Sequence, residues 1–257
     1  LYRFPEGHLS PAKDRDDLLS RFNTYFQAIT ADTPGLVETA LALRYQVYCL
    51  ERKFEDANQH QDGLERDAHD PHSIHGLVIH RPRHEAIGTA RLIFPDVRPN
   101  SLPVQQLLRR TGINPSDYFP ADSTVEISRF AISKDFRRRS GEGAEGESAL
   151  TSQAERRTSL PCLGLVQILL RQSIELGITH WSAVMEPQLL RMLAAMGIRF
   201  QPIGPLVSHH GLRQPSFCYL PQMLRILCQT KPDHWAVVTD DGELVPRVAR
   251  PAIRIVA

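Results

Sequence analysis

Little in this sequence names a partner by composition. There is no excess of charge of either sign: Lys and Arg number 30 against 29 for Asp and Glu. That balance argues against a general nucleic-acid binder, which carries a basic excess. No apolar run approaches the ~18 residues of a membrane span, so no transmembrane segment is expected. The first residues, with Pro5, Glu6, His8, Lys13 and Asp14, lack the apolar centre of a signal peptide. The four cysteines (Cys49, Cys162, Cys218, Cys228) stand far apart with no C-x-x-C pair. That pattern suits free thiols in a reducing cytoplasm, and a cytoplasmic location is expected. There is no internal repeat. His69, Asp70, His72 and His75 cluster, but their spacing fits no metal-ligand pattern, so they read as loop histidines and no metal is expected.

What is present begins with a strand. Thr124-Val125-Glu126-Ile127-Ser128-Arg129-Phe130-Ala131-Ile132 is rich in β-branched and aromatic residues, yet it holds a glutamate and an arginine. A buried charge is costly unless it is paired or hydrogen-bonded. Strict alternation puts Glu126, Ser128 and Phe130 on one face and Arg129 on the other, unless a bulge intervenes.

Around it, strands and helices alternate. Residues 1–24 form a short helix or an arm, and a first strand follows at 25–29. A helix runs from Pro34 to about Glu51, N-capped by Thr33, with Val37, Leu41, Arg44 and Tyr48 on one stripe. Residues 52–73 form a polar loop longer than an ordinary connection. Strands at 74–80 and 86–94 follow, the second carrying Arg91, then a short helix at 104–110. Beyond the central strand, a Gly/Glu/Ser/Arg-rich segment at about 140–159 reads as a mobile insertion. Further predicted elements are helices from about 161 to 176 and 188 to 195, strands at 178–185, 198–202 and 216–220, and a helical turn at 223–228. Residues 231–257 form a tail with a hairpin turned at Asp241-Gly242. The division is thus an arm (1–24), a domain (25–230) and a tail (231–257). The fold class is α/β, a mixed sheet with helices on both faces.

Arg44, Arg91 and Arg129 all need anions, and Glu126, Asp67 and Asp70 are the nearest candidates. A carboxylate held ionised among arginines on a central strand suits proton transfer to or from an amine. The same set also suits a buried ion network that only ties the long loop to the sheet. Arg138-Arg139-Ser140-Gly141-Glu142-Gly143 has the R-x-x-G-x-G form of an acyl-CoA pyrophosphate loop, but the helix that should follow is expected about 17 residues later. Arg137, Arg138 and Arg139, with Arg156-Arg157, also suit docking of an acidic carrier protein. Among the cysteines only Cys162, at a helix start, merits a test as a reactive thiol.

Several stretches together resemble the acyltransferases associated with the PEP-CTERM/exosortase system. Those are similar to N-acyl amino acid synthases and, more distantly, to acyl-homoserine-lactone synthases. The stretches are an R-x-x-V-[FY] helix (Arg44, Val47, Tyr48), an E-x-D-x-x-D loop (Glu65, Asp67, Asp70), a G-x-x-R strand (Gly88, Arg91) and an E-x-x-R strand (Glu126, Arg129). Met185-Glu186-Pro187, Pro202-Ile203-Gly204-Pro205 and His210-Gly211-Leu212-Arg213 extend the likeness over roughly residues 22 to 228. The resemblance implies a GNAT fold, with a splayed central sheet flanked by helices. It implies transfer of a fatty acyl group from a thioester to an amine of an amino acid or similar small molecule. The donor is acyl carrier protein or CoA, the former favoured because the insertion interrupts the CoA-holding junction; no bound cofactor is implied. The implied catalytic positions are Glu126 as base, with Ser128 and Arg129 on the same strand. Arg44, Asp67, Asp70, Arg91 and Phe130 would bind substrate, and Arg137, Arg138 and Arg139 would hold the carrier or a phosphate. Apolar residues of the 161–176 helix and the 178–185 strand would line the acyl tunnel. Two rival readings are a lactone synthase using S-adenosylmethionine and a non-catalytic acyl- or carrier-binding module.

Overall fold

The structure, a computed structural model, describes residues 17–96, 101–134, 136, 147–208 and 211–245. Helix α1 (Leu18–Tyr25) is capped by Asp17, whose Oδ1 accepts the Ser20 N–H at 2.7 Å. Its Phe22 is buried in the main core, so from Leu18 onward the expected arm is a packed helix. Strand β1 (Phe26–Thr30) leads to α2 (Pro34–Arg44), where Thr33 accepts from Leu36 and Pro34 opens the first turn, as expected. Helix α2 runs on into a π-helical turn, Tyr45–Glu51.

Strands β2 (Ser73–His80) and β3 (Glu85–Ile93), helix α3 (Pro103–Arg110) and β4 (Thr124–Ile132) lie close to their predicted bounds. Then come α4 (Glu147–Glu175), β5 (His180–Met185), α5 (Pro187–Ala195), short β6 (Gln201–Pro202) and β7 (Val207–Ser208), β8 (Leu212–Tyr219), α6 (Leu220–Thr230) and α7 (Pro232–Thr239). The strand order is β1-β2-β3-β4-β5-β8-β6, with β7 also on β8. The pair β4–β5 is parallel, and the other described pairings are antiparallel.

Because side chains alternate along β2, the sheet feeds two cores. Val78 packs with Leu165 and Leu169 of α4 on one face. Leu77 packs with Ala40 of α2 on the other. Each such fully buried side chain contributes about 1.5–3 kcal/mol. Helix α4 comes very close to its neighbours: a Cβ on Gly164 would stand 2.7 Å from the Phe22 ring and 3.1 Å from Val78.

Two expectations fail here. Residues from Glu147 on, assigned to a mobile insertion, are helix, and Pro161 sits inside α4 rather than at its start. A proline suits the first turn of a helix, which made 161 look like a beginning. The C-terminal hairpin is also absent. Pro232 opens α7, and Asp240, Asp241 and Gly242, all at positive φ, stop it. A run of left-handed residues ends a helix as well as it turns a hairpin. Val237 and Val238 of α7 are fully buried in the main core, so the chain through Val245 belongs to the domain rather than to a tail.

Candidate active site

Two irregularities of β4 make the site. Its parallel pairing with β5 runs from Thr124↔His180 to Ile127↔Ala183 and stops there, though β4 continues to Ile132. Among the described residues the β5-facing edge of β4 has no strand partner from Ser128 onward, and the sheet splays. On the other side, Arg91 pairs with Ser128 but Thr89 pairs with Ala131. Arg129 and Phe130 therefore oppose the single residue Ala90, which is a β-bulge. Arg129 takes φ +52°, a left-handed conformation that costs a non-glycine residue free energy unless the surroundings enforce it. The bulge breaks the strict alternation expected from the sequence.

The splay opens into a cavity of about 760 Å³. Glu126 to Ile132, Tyr48 of the π turn, Asp67, Arg91, and Leu107 of α3 line it, as do Val184 and Met185 of β5 and Leu189 and Met192 of α5. Of the predicted tunnel helix only Cys162 reaches the lining; the fully buried Leu165 and Leu169 face the core instead. Burial pushes up the pKa of both Cys49 and Cys218.

The three arginines find their anions in the long loop. Arg44, fully buried, donates from Nε to Glu65 Oε2 at 2.5 Å and from Nη1 to Asp70 Oδ1 at 2.5 Å. Arg91, also buried, makes a two-pronged contact with Asp67, at 2.7 Å for each nitrogen, and reaches Asp70 Oδ1 at 2.6 Å and Ser128 Oγ at 3.0 Å. Arg129 Nη2 reaches Glu65 Oε1 at 2.8 Å, Glu55 Oε1 at 3.0 Å and Asp67 Oδ2 at 3.2 Å. Its guanidinium lies over the Tyr48 ring, 5.1 Å from the centroid. Burial alone would raise the Glu65 carboxyl, but hydrogen bonds from Arg129 and Arg44 outweigh it and hold it at about 2. Asp67 and Asp70 are likewise held below the ordinary carboxylate range, their own burial being outweighed by Arg91 and Arg44 respectively. Burial, with Arg44 nearby, pushes His75 down to about 4.

Glu126 stands apart from this network. It is 4% exposed, and its one hydrogen bond among the described residues is from the Val104 N–H to Oε2, at 2.7 Å. Burial raises its carboxyl to about 7, against smaller opposing effects of the Val104 N–H and Arg91. The expected ionised carboxylate held among arginines is thus corrected: Glu126 is sheltered and titrates near neutrality. The contact also explains α3. That helix begins at Pro103 behind Leu102, a residue with no side-chain acceptor for its free N–H groups. Glu126 supplies the acceptor from a neighbouring strand. The unfilled cap at Leu102 was the sequence signal of this pairing.

Of the other predicted site residues, Ser128, Arg129, Phe130, Asp67 and Arg91 line the cavity. Arg44 and Asp70 do not; they lie behind its wall, so their expected contact with substrate gives way to holding the loop in place. Arg137, Arg138 and Arg139 lie outside the described residues, as does the segment 137–146. Helix α4 starts at Glu147, just past Gly143, and not about 17 residues later as expected, so a helix does follow the R-x-x-G-x-G stretch closely in sequence. Arg52, Phe54, Glu186 and Arg213 also line the cavity and were not singled out as a site beforehand.

Residues 43–144 match the acetyltransferase (GNAT) domain family. Among solved structures, TofI in a ternary complex with an inhibitor and MTA is similar at 18% identity and a TM-score of 0.56, over 86% of this chain and 99% of that one. The AHL synthase LasI is similar at 18% identity and 0.54, over 81% and 95%. A CoA-dependent acyl-homoserine lactone synthase, BjaI, with SAM and isopentyl-CoA, is similar at 19% and 0.53, over 87% and 95%. No curated protein matches by sequence. The splayed, bulged sheet flanked by helices is the acyl-CoA N-acyltransferase-like fold, and over residues 43–144 the chain carries a GNAT domain, the domain of an acyltransferase.

Proposed function

We propose that the protein transfers a fatty acyl group from a thioester to the amine of an amino acid or similar small molecule. The observation that carries this reading is the Glu126 carboxyl, titrating at about 7 and opening onto the cavity where β4 parts from β5. An ammonium group must lose a proton before it attacks. A carboxylate with a pKa near the working pH is suited to take it, directly or through a water. The amine lone pair then forms the C–N bond at the thioester carbonyl, the tetrahedral oxyanion collapses, the C–S bond breaks, and the thiol leaves with a proton. Backbone N–H groups near Ser128 to Phe130, on the edge without a strand partner, supply the oxyanion donors. Asp67, Arg91 and Arg129 shape the cavity wall beside the reacting groups. Transfer is direct, without an acyl-enzyme.

The donor favoured by the sequence resemblance is acyl carrier protein, docked on Arg137, Arg138 and Arg139. The helix start at Glu147 leaves CoA an equal structural opportunity. The association with the PEP-CTERM/exosortase system and the amino acid acceptor rest on the same resemblance. The test is turnover of acyl carrier protein and CoA thioesters with an amino acid mixture, followed by mass spectrometry. An N-acyl amino acid is the expected product, and a lactone formed from S-adenosylmethionine would replace this acceptor assignment. Glu126→Gln keeps an acceptor for the Val104 N–H and is expected to lower kcat by about 10²–10⁴-fold. A near-normal rate in that variant would refute the base.

A further inference from the structure

A second charged group faces the same cavity, built from three separate segments. Arg52 follows the π turn, Phe54 lies in the long loop, Glu186 sits between β5 and α5, and Arg213 is on β8. Arg52 Nη1 is 3.2 Å from Glu186 Oε2, and Arg213 Nη1 is 3.1 Å from Glu186 Oε1. Both guanidinium groups stand over the Phe54 ring, at 5.6 and 5.2 Å from its centroid. An aromatic face within about 6 Å attracts each cation and helps hold both beside the one carboxylate.

The charges do not balance: two cations share one carboxylate. Nor are their hydrogen-bond donors used up. Only Nη1 of each arginine is engaged among the described residues, Arg213 Nη1 also reaching the Leu212 carbonyl at 3.3 Å. Nε and Nη2 of both are left for another partner. Arg213 is 11% exposed, so its guanidinium is held largely out of bulk water, where a charge-assisted hydrogen bond counts for more. The group wants one further anion with two planar acceptors.

We propose that Arg52 and Arg213 receive the carboxylate of the amine acceptor, with Glu186 aligning the two guanidinium groups and Phe54 bracing them. The proposal rests on the acyl-transfer reading and narrows it: the acceptor is an α-amino acid rather than a neutral amine. Its carboxylate is held at the Arg52–Arg213 pair while its amine meets the donor in the cavity that Glu126 lines.

The test is equilibrium binding to the full chain by calorimetry, with N-dodecanoyl-leucine and N-dodecanoyl-leucinamide as probes. The acid is expected to bind about 10- to 100-fold more tightly than the amide, the range for a hydrogen bond to a charged group. In Arg213→Gln that ratio is expected to fall toward one, and Arg213→Lys is expected to restore part of it. Arg52→Gln, at a position 40% exposed, repeats the test where folding is not at stake. Equal affinity for acid and amide in the unaltered protein, no binding of the acid, or a ratio that survives both glutamine variants overturns the site. The outcome does not depend on turnover. A chain that acylates no amine yet prefers the acid would sink the enzyme reading and keep the carboxylate site.

Discussion

A carboxyl group that titrates near neutrality inside a protein has to be sheltered from cations as well as from water. Arg129 of β4 and the neighbouring Arg44 and Arg91 are each occupied by loop carboxylates, which leaves Glu126 with a single backbone donor among the described residues. Its raised pKa has a stability consequence with a definite sign. The unfolded carboxyl titrates near 4.5 and the folded one near 7. The stabilisation is therefore complete below about 4.5 and is lost as pH rises through about 7. Glu126→Gln does not titrate, so it is expected to gain on the unaltered protein across that interval, reaching an advantage of about 1–3 kcal/mol above it. Urea midpoints at pH 4.5 and 8 check this; equal differences at both would remove the burial account. That a charge at 126 mattered was legible in the sequence. That it stood outside the arginine set was not, because partners 22 residues or more away are chosen by folding. Nor did Arg129 announce its left-handed backbone, since no glycine or asparagine marks the bulge.

At the scale of elements, the outcome turned on which rule for Gly and Pro applied. Strand β4 is legible to its bounds because β-branched residues and alternating polarity agree there. Pro161 passes for a first-turn proline, which hides the first half of α4, and Asp-Gly after an apolar run fits both a hairpin and a helix stop, which hides α7. The π turn Tyr45–Glu51 has no sequence signature. It continues α2 and carries Tyr48 beneath Arg129, in keeping with the tendency of such turns to occur at functional sites. Gly164 has a packing reason. Alanine there gains about 1 kcal/mol in helix propensity but presses on Phe22 and Val78, a crowding that costs about 1–3 kcal/mol. Gly164→Ala is expected to be destabilised on balance, with α1 loosened first. Urea unfolding, and faster amide exchange in Leu18–Tyr25, would show it; unchanged stability would mean α1 yields freely.

For the molecule as a whole, the charge network sets the acid limit. His75 is kept neutral, at about 4 when folded against an ordinary 6.5, so its contribution fades as pH falls from 6.5 to 4. Over nearly the same interval Glu126 regains stability, one proton against one proton. Between about pH 6.5 and 4.5 these two oppose each other, while His69, His80 and His180, also lowered by burial, each add a loss, so the urea midpoint is expected to fall only gently. Below 4.5 the depressed carboxylates, with Glu65 at about 2, lose their advantage together. Stability is then expected to fall steeply, with proteolysis first in the loop between Arg52 and His72. A fall as steep between about pH 6.5 and 4.5 as below 4.5 would contradict the opposition. The general form, a mixed α/β sheet with helices on both faces, was legible from element order, since alternating strands and helices admit few other arrangements. Which loop anion meets which strand cation was set only by the assembled sheet.

The bond from Val104 to Glu126 turns one backbone amide into an observer. As the carboxyl gives up its proton, the acceptor facing that N–H changes from neutral to anionic, and the nitrogen and proton resonances of Val104 move with it. The protonation state of the group proposed to drive the chemistry can then be followed by magnetic resonance, without substrate or mutation, at a nucleus that takes no part in the reaction.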